Sequence, residues 1–192
     1  MSRRILFFLA QLGLLLGCCL TTAAIARPQT RDHLTEKEVE LVQEAQELDK
    51  RIGVFIKAAD RRLLVIKGLD PASAKDLKKD AELWGDLPSG TRGELVGDIA
   101  KILDEAITNI DDVSARDEKN PALPRVVRKL AATASRIITQ LKPLQASATD
   151  AAEVSNFAAL LENAETIVEA AGKLPPDVAP PRKGKGEKAK TN

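Results

Sequence analysis

A stretch of thirty-three residues, 35–67, contains no proline and only one glycine, and it constrains the fold more than any other feature of this chain. Its apolar and small side chains recur at steps of three and four: Leu41, Ala45, Leu48, Ile52, Phe55, Ala59 and Ile66. This spacing places them on one stripe of an α-helix. Further apolar residues widen the stripe beyond a coiled-coil seam, so the stretch predicts one long helix that packs against other long helices.

Both ends of this predicted helix carry sequence signals. Thr35 and Glu38 have the spacing of a capping box, in which each side chain bonds a backbone N–H of the first turn. Gly68, followed by Pro71, is typical of a helix end. The sequence therefore predicts that the helix runs uninterrupted between these signals.

The charges of this helix are graded along its length. Glutamates dominate residues 36–47, whereas lysine and arginine dominate the second half, and this order complements the helix dipole. Arg61 and Arg62 are therefore interpreted as part of the cationic end of the helix, in preference to a site for an acidic partner. His33, just before the helix, is expected to be an ordinary solvated residue.

Helical spacing also dominates the chain downstream, where three long segments and one short segment are predicted. They are residues 72–84, which form the short one, then 91–115, 124–143 and 150–172. Pro143 must kink or end its helix, since proline lacks an N–H and clashes with the preceding turn. Trp84 is expected to pack the short helix onto the others.

Composition supports the same fold class. Aromatic residues make up only 3% of the chain, tyrosine is absent, and valine and isoleucine occur at helical spacings instead of in alternating runs. The sequence predicts an all-α protein: an up-down four-helix bundle with one additional short helix and a disordered C-terminal tail. The predicted organisation is a lead-in at 27–33, a bundle domain at 34–172, and a Pro-rich, then basic tail at 173–192.

The first 26 residues have the pattern of an export signal: a positive start, an apolar run, and a small-x-small motif at 24–26. Cleavage after Ala26 is expected. Residues 15–18, Leu-Leu-Gly-Cys, also resemble the lipobox of bacterial lipoproteins, which would make Cys18 a lipidated N-terminus. A retained membrane span is a third reading, although the apolar run is short for one. The first two readings predict a periplasmic or secreted protein, or one that is lipid-anchored to the envelope.

Residue types limit the chemistry of the predicted bundle. Both cysteines lie in the signal, so a disulfide, a cysteine metal site and a thiol nucleophile are not expected. Neither histidine nor methionine falls on a helical stripe, which disfavours haem and di-iron sites. Acidic pairs at 104–105 and 111–112 lack the spacing of a calcium loop and are interpreted as solvated. No catalytic, metal or cofactor-binding residue is predicted.

Two elements remain as candidate binding sites. A glycine beside a helix N-terminus can present free N–H groups to an anion, and this element comprises Ser89, Gly90, Thr91 and Arg92. The tail carries five basic residues within nine positions: Arg182, Lys183, Lys185, Lys188 and Lys190. Such a tail suits anionic lipid headgroups or cell-wall polymers, with a merely solubilising role as the alternative. Nucleic acid is not an expected partner outside the cytoplasm.

Three classes of function follow from these observations. The first is a non-enzymatic interaction or scaffold module in the bacterial cell envelope, whose helix faces bind an envelope protein or a second copy. The alternative is a periplasmic carrier or sensor that holds a small apolar or anionic ligand in the bundle. A hydrolase that uses paired carboxylates is a third reading, disfavoured because the predicted bundle offers few aromatic platforms for a sugar.

Overall fold

A computed structural model describes residues 32–68 and 80–175, and every regular element in these residues is helical. The helices are α1 (Glu36–Glu44), α2 (Leu48–Lys67), α3 (Arg92–Arg116), α4 (Leu123–Gln145) and α5 (Ala151–Gly172). The predicted all-α helical bundle is therefore confirmed. Residues 80–84 are helical as predicted, whereas the rest of that short helix, the export signal and the tail beyond Pro175 lie outside the described residues.

The long helix predicted over 35–67 is wrong in one respect, because it is broken between α1 and α2. The break falls at residues 45–47, where the carbonyl oxygen of Ala45 accepts a hydrogen bond from Arg51 Nε at 2.9 Å. In an unbroken helix, Glu38 and Arg62 would stand about 36 Å apart, at 1.5 Å per residue. The break lets α1 fold back so that these two side chains meet.

Three of the predicted helix starts, at Thr35, Thr91 and Asp150, are confirmed. Thr35 and Thr91 each accept a hydrogen bond from the backbone N–H of the third helical residue, and the glutamate at that position bonds back to the threonine N–H. Asp150 caps α5 in the simpler form, by accepting from the N–H of Glu153. These local interactions fix where the helices begin, independently of how the helices pack.

Pro143, which was predicted to kink or end α4, lies within the helix close to its end. The helix continues two residues further, to Gln145. The proline thus stands in the last turn, where few following N–H groups depend on regular geometry.

One apolar core joins α2, α3, α4 and α5. Its largest fully buried apolar side chains are Ile52, Phe55, Leu95, Ile99, Ile102, Leu103, Leu130, Ile137, Leu141, Phe157 and Leu160. All of them except Leu160 belong to the stripes that helical spacing predicts; on α5 the predicted stripe instead included Val154, which is exposed. Burial of these apolar side chains favours folding, and the described residues contain no cysteine that could add a disulfide.

Cross-helix contacts define the arrangement. Residues Arg51 and Asn109 meet at one end of the α2–α3 pair, and Arg62 approaches Asp98 further along, so these helices are antiparallel. Arg136 and Asp60 are 2.6 Å apart between α4 and α2. Together with the Arg125–Asp49 pair, this contact makes α2 and α4 parallel neighbours.

The most extensive helix pair is α3 with α5, which also run parallel. Their shared direction is fixed by contacts of Arg92 with Glu153 and, further along, of Ala100 with Asn163. In a simple up-down bundle, successive helices would be the main neighbours. Here α3 packs mainly on α2 and α5, and its contact with α4 is small, so the contacts do not describe that simple arrangement.

Small residues on α3 permit this close approach. A Cβ atom added to Gly97 would lie 2.8 Å from Asn156 Nδ2, and one added to Gly93 would lie 3.0 Å from Glu153 Cβ. Asn156 donates to the carbonyl of Gly93, at 2.9 Å, and Asn163 donates to the carbonyl of Ala100. The two amides, which are seven residues apart on α5, therefore fix the register of α5 against α3.

Candidate functional site

A cluster of charged side chains lies at the junction of α1, α2 and α3, and we call Glu38, Arg61, Arg62 and Asp98 the charge cluster. Glu38, Arg61 and Arg62 are 0%, 2% and 1% exposed, which is rare for charged residues. Glu38 is the only buried residue within α1. This helix is therefore attached to the bundle through a carboxylate more than through an apolar stripe.

Arg62 binds the Glu38 carboxylate through two guanidinium nitrogens. Its Nη1 lies 2.8 Å from Glu38 Oε1 and its Nη2 lies 2.7 Å from Oε2, the fork geometry in which arginine binds a carboxylate most strongly. Arg61 Nε stands 3.2 Å from the same Oε1. Asp98 approaches Arg62 Nε from α3 at 3.8 Å, so two cations face two anions in the cluster.

Further N–H groups of the two arginines donate hydrogen bonds to backbone carbonyls. Arg62 donates to the carbonyl of His33 at 2.5 Å, which holds the segment before α1. Arg61 Nη2 donates to the carbonyls of Gly85 and Asp86, at 3.2 and 2.5 Å. The Arg61 guanidinium carbon also lies 5.7 Å from the centre of the Trp84 ring, within the range of a cation–π contact. The cluster thus joins three helices and the loop that precedes α3.

The electrostatics of the cluster explain how it tolerates burial. Removal from water lowers the pKa of the Arg61 guanidinium, and the adjacent Glu38 carboxylate acts against that shift. Equal numbers of positive and negative groups leave no net formal charge in the cluster. Each charge depends on its partners, because removal of one would leave an uncompensated charge in the interior.

The sequence interpretation of these residues was incomplete. Arg61 and Arg62 do more than form the cationic end of the helix, because both are buried. Arg61 contacts Glu38 and the loop before α3, whereas Arg62 contacts Glu38 and Asp98. His33 is half-buried, and its Nε2 lies 3.0 Å from Glu105 Oε1 on α3. One signal pointed to Arg62: it interrupts the apolar stripe of its helix, where a charged residue requires a buried partner.

The predicted anion-binding helix start lies where α3 and α5 begin side by side. An open cleft of about 520 Å³ is lined by Thr91, Arg92, Gly93, Asp150 and Glu153. The Arg92 guanidinium is 2.5 Å from Glu153 Oε1, and this hydrogen bond raises the pKa of Arg92. The Thr91 N–H is bonded to Glu94 at 2.7 Å. The anion site stays a prediction, and the carboxylates of this cleft disfavour it.

Ser89 and Gly90, the other two residues of this prediction, precede the helix and are exposed. Gly90 has a φ of 149°, which favours glycine. Their role in the described structure is to lead the chain into the Thr91 cap.

The opposite end of α3 borders an apolar depression that the sequence interpretation missed. We call it the end groove and define it by Ile110, Asp111, Ser114, Val127, Ala170 and Leu174. Its volume is about 440 Å³. A smaller pocket of about 160 Å³ shares Ile110, Val127 and Ala170 with the groove and extends to Leu130 and Ile167. Each of the three helices contributes an apolar residue to the groove, namely Ile110, Val127 and Ala170, and the groove stays open because α3 and α4 make little direct contact.

The remaining predicted site residues cannot be placed. Cys18 and the five basic residues of the tail lie outside the described residues. Of the helices in residues 32–68 and 80–175, none is long and apolar enough to cross a membrane. The same residues contain no group of three histidine, cysteine or acidic side chains that could hold a metal ion.

No protein-family model, curated protein or solved structure matches this chain. Its class therefore follows from its fold and its surface alone. It is an all-α helical-bundle protein with a charge cluster at one junction and an apolar groove at one end.

Proposed function

We propose that this chain is an exported bacterial helical-bundle protein that acts as a non-enzymatic interaction module in the cell envelope, and that the end groove receives an apolar segment of its partner. The observation that carries the proposal is the groove itself. It is open to solvent, and Ile110, Val127, Ala170 and Leu174 form its apolar part beside the polar residues of its rim. Export is proposed from the signal pattern of residues 1–26.

The rim of the groove suggests the chemistry of that partner. Asp111 and Glu118 line the groove from the end of α3 and the loop after it, beside a single basic residue, Lys119. An apolar segment with positive charge next to it would complement both the groove floor and this rim. The partner proposed here is therefore a protein segment with apolar side chains and flanking lysine or arginine.

Capture from envelope extract tests this proposal when two matched variants are compared. Val127→Glu places a charge in the groove, whereas Val154→Glu places the same charge on an exposed surface of α5. We expect a specific captured protein to be lost with Val127→Glu and retained with Val154→Glu. Thermal unfolding of both variants establishes that each is folded. Equal capture by the two folded variants would contradict a role for the groove.

A carrier of a small apolar ligand is the second candidate. The observation in its favour is the smaller pocket that extends from the end groove to Leu130 and Ile167. Its volume of about 160 Å³ is comparable to cavities that hold a benzene-sized molecule. Native mass spectrometry of protein purified from the envelope tests this candidate. A discrete additional mass that Leu130→Trp removes would support the carrier, and the bare protein mass would contradict it.

A further inference from the structure

The described chain ends at the rim of the end groove. Helix α5 finishes at Gly172, and Leu174 then forms part of the groove lining. The side chain of Arg128, on α4, donates a hydrogen bond to the carbonyl of Pro175. These two contacts bring the start of the remaining chain to the groove, on the side formed by α4 and α5.

The residues that follow have the composition that the groove would accept. Residues 176–181 are Pro-Asp-Val-Ala-Pro-Pro, an apolar stretch with one acidic side chain. In an extended, polyproline-like conformation six residues cover about 19 Å, at 3.1 Å per residue. Packed helix axes lie about 8–10 Å apart, so this length is sufficient to cross from α4 and α5 to α3.

Charge favours the same placement. The tail then carries five basic residues between 182 and 190. The end of α3 and the following loop present four exposed carboxylates, those of Asp111, Asp112, Asp117 and Glu118, against two exposed cations, Arg116 and Lys119. A segment that leaves the groove across α3 would bring its basic residues to this acidic end.

We propose that residues 176–181 occupy the end groove of their own chain and that the basic residues after them lie along the acidic end of α3. A segment tethered at the groove rim has an effective concentration of about millimolar, so even weak apolar contacts keep it there. This inference rests on the proposed function, since it makes the tail a built-in competitor of the partner. Partner binding then requires displacement of the tail.

Disulfide trapping tests the placement in the full chain. Cys18 and Cys19 are replaced by serine, and Val178→Cys is combined with Ser114→Cys, which lies in the groove. The matched control combines Val178→Cys with Ser155→Cys, on an exposed surface near the start of α5. Under a mild oxidant, we expect the first pair to form an intramolecular disulfide at least about 10-fold faster than the second. Equal rates, or mainly disulfide-linked dimers, would overturn the placement; dimers would assign the groove to the tail of a second copy.

A peptide of residues 175–192 tests the competition. We expect it to bind protein truncated after Pro175, which keeps every described contact, at least about 10-fold more tightly than the full chain. Asp111→Asn should weaken this binding and Asp112→Asn should weaken it less, because only Asp111 lines the groove. Equal binding to truncated and full-length protein would contradict the inference, as would binding that Val127→Glu leaves unchanged.

The two proposals fail in different ways. If the peptide does not bind but Val127→Glu still abolishes partner capture, the tail is not the competitor and the proposed function stands. If the peptide binds and disulfide trapping succeeds but no partner depends on Val127, the groove serves only its own tail. Binding of the full chain to anionic vesicles that is unaffected by Asp111→Asn would place the basic residues on lipid instead of on α3.

Discussion

Arg62 on α2 and Glu38 on α1 form a bidentate ion pair, with N–O distances of 2.7 and 2.8 Å. In a single unbroken helix these two residues would stand about 36 Å apart, at 1.5 Å per residue. Both side chains are almost completely buried. The pair therefore explains why the chain breaks after Glu44 and how a nine-residue helix with little apolar contact stays on the bundle. Helices this short are marginal alone, and α1 depends on this contact.

Glu38→Ala is expected to destabilise the protein by about 3–5 kcal/mol, because it removes the one carboxylate that both buried arginines contact. Urea unfolding measures the change. Glu94→Ala is the matched control, since it removes the equivalent capping-box glutamate at an exposed helix start and should cost about 1 kcal/mol. Equal losses for the two variants would mean that Glu38 acts only as a cap.

Trp84 is the only tryptophan in the sequence, so the tryptophan fluorescence of the protein comes from this residue. Because Arg61 lies over its ring, the emission spectrum reports on that contact. Arg61→Ala should shift its fluorescence emission to longer wavelength, because the guanidinium covers the ring and holds the carbonyls of the two following residues. Arg116→Ala should leave the emission unchanged, since Arg116 bonds only its own helix at the far end of α3. An unshifted spectrum for the folded Arg61 variant would contradict the described contact.

Gly97→Ala is expected to lower the free energy of unfolding by about 1–3 kcal/mol. The reason is that the new Cβ would lie only 2.8 Å from Asn156 Nδ2. Gly172→Ala is the control: nothing lies within 4 Å of its added Cβ, and alanine should stabilise the end of α5 by up to about 1 kcal/mol. The urea concentration at the midpoint of unfolding is measured for both variants and for the unchanged protein. In the Gly97→Ala background, Asn156→Ala should recover part of the loss, which a double-mutant cycle quantifies.

Intact mass of the mature protein tests the export prediction. Cleavage after Ala26 gives a chain that begins at Arg27, whereas lipobox processing gives one that begins at Cys18 and carries a lipid. We expect the first product in an envelope or secreted fraction. An uncleaved chain in the cytoplasmic fraction would contradict both readings.

Local signals in the sequence predicted much of the fold. The capping boxes at Thr35 and Thr91 and the apolar stripe through Leu95, Ile99 and Ile102 are all present in the structure. Each depends on residues close together in the chain, where helical spacing and cap chemistry are sufficient.

Contacts between distant residues were not predictable in the same way. The stretch 35–67 has an uninterrupted helical pattern, whereas the buried Glu38–Arg62 pair, 24 residues apart, favours the break. The end groove likewise depends on which helices become neighbours, and helical spacing does not specify that α3 and α5 lie side by side. Sequence periodicity predicts which face of a helix is buried but not which helix covers it.

Photo-crosslinking in living cells tests the central claim, that the end groove is the interaction surface, most directly. A photoreactive amino acid is placed at Ser114, in the groove, or at Ser155, on an exposed surface near the start of α5. The account predicts a discrete intermolecular adduct from position 114 that is absent from position 155. No adduct from position 114 in the chain truncated after Pro175, where the tail cannot compete, or the same adduct from both positions, would contradict it.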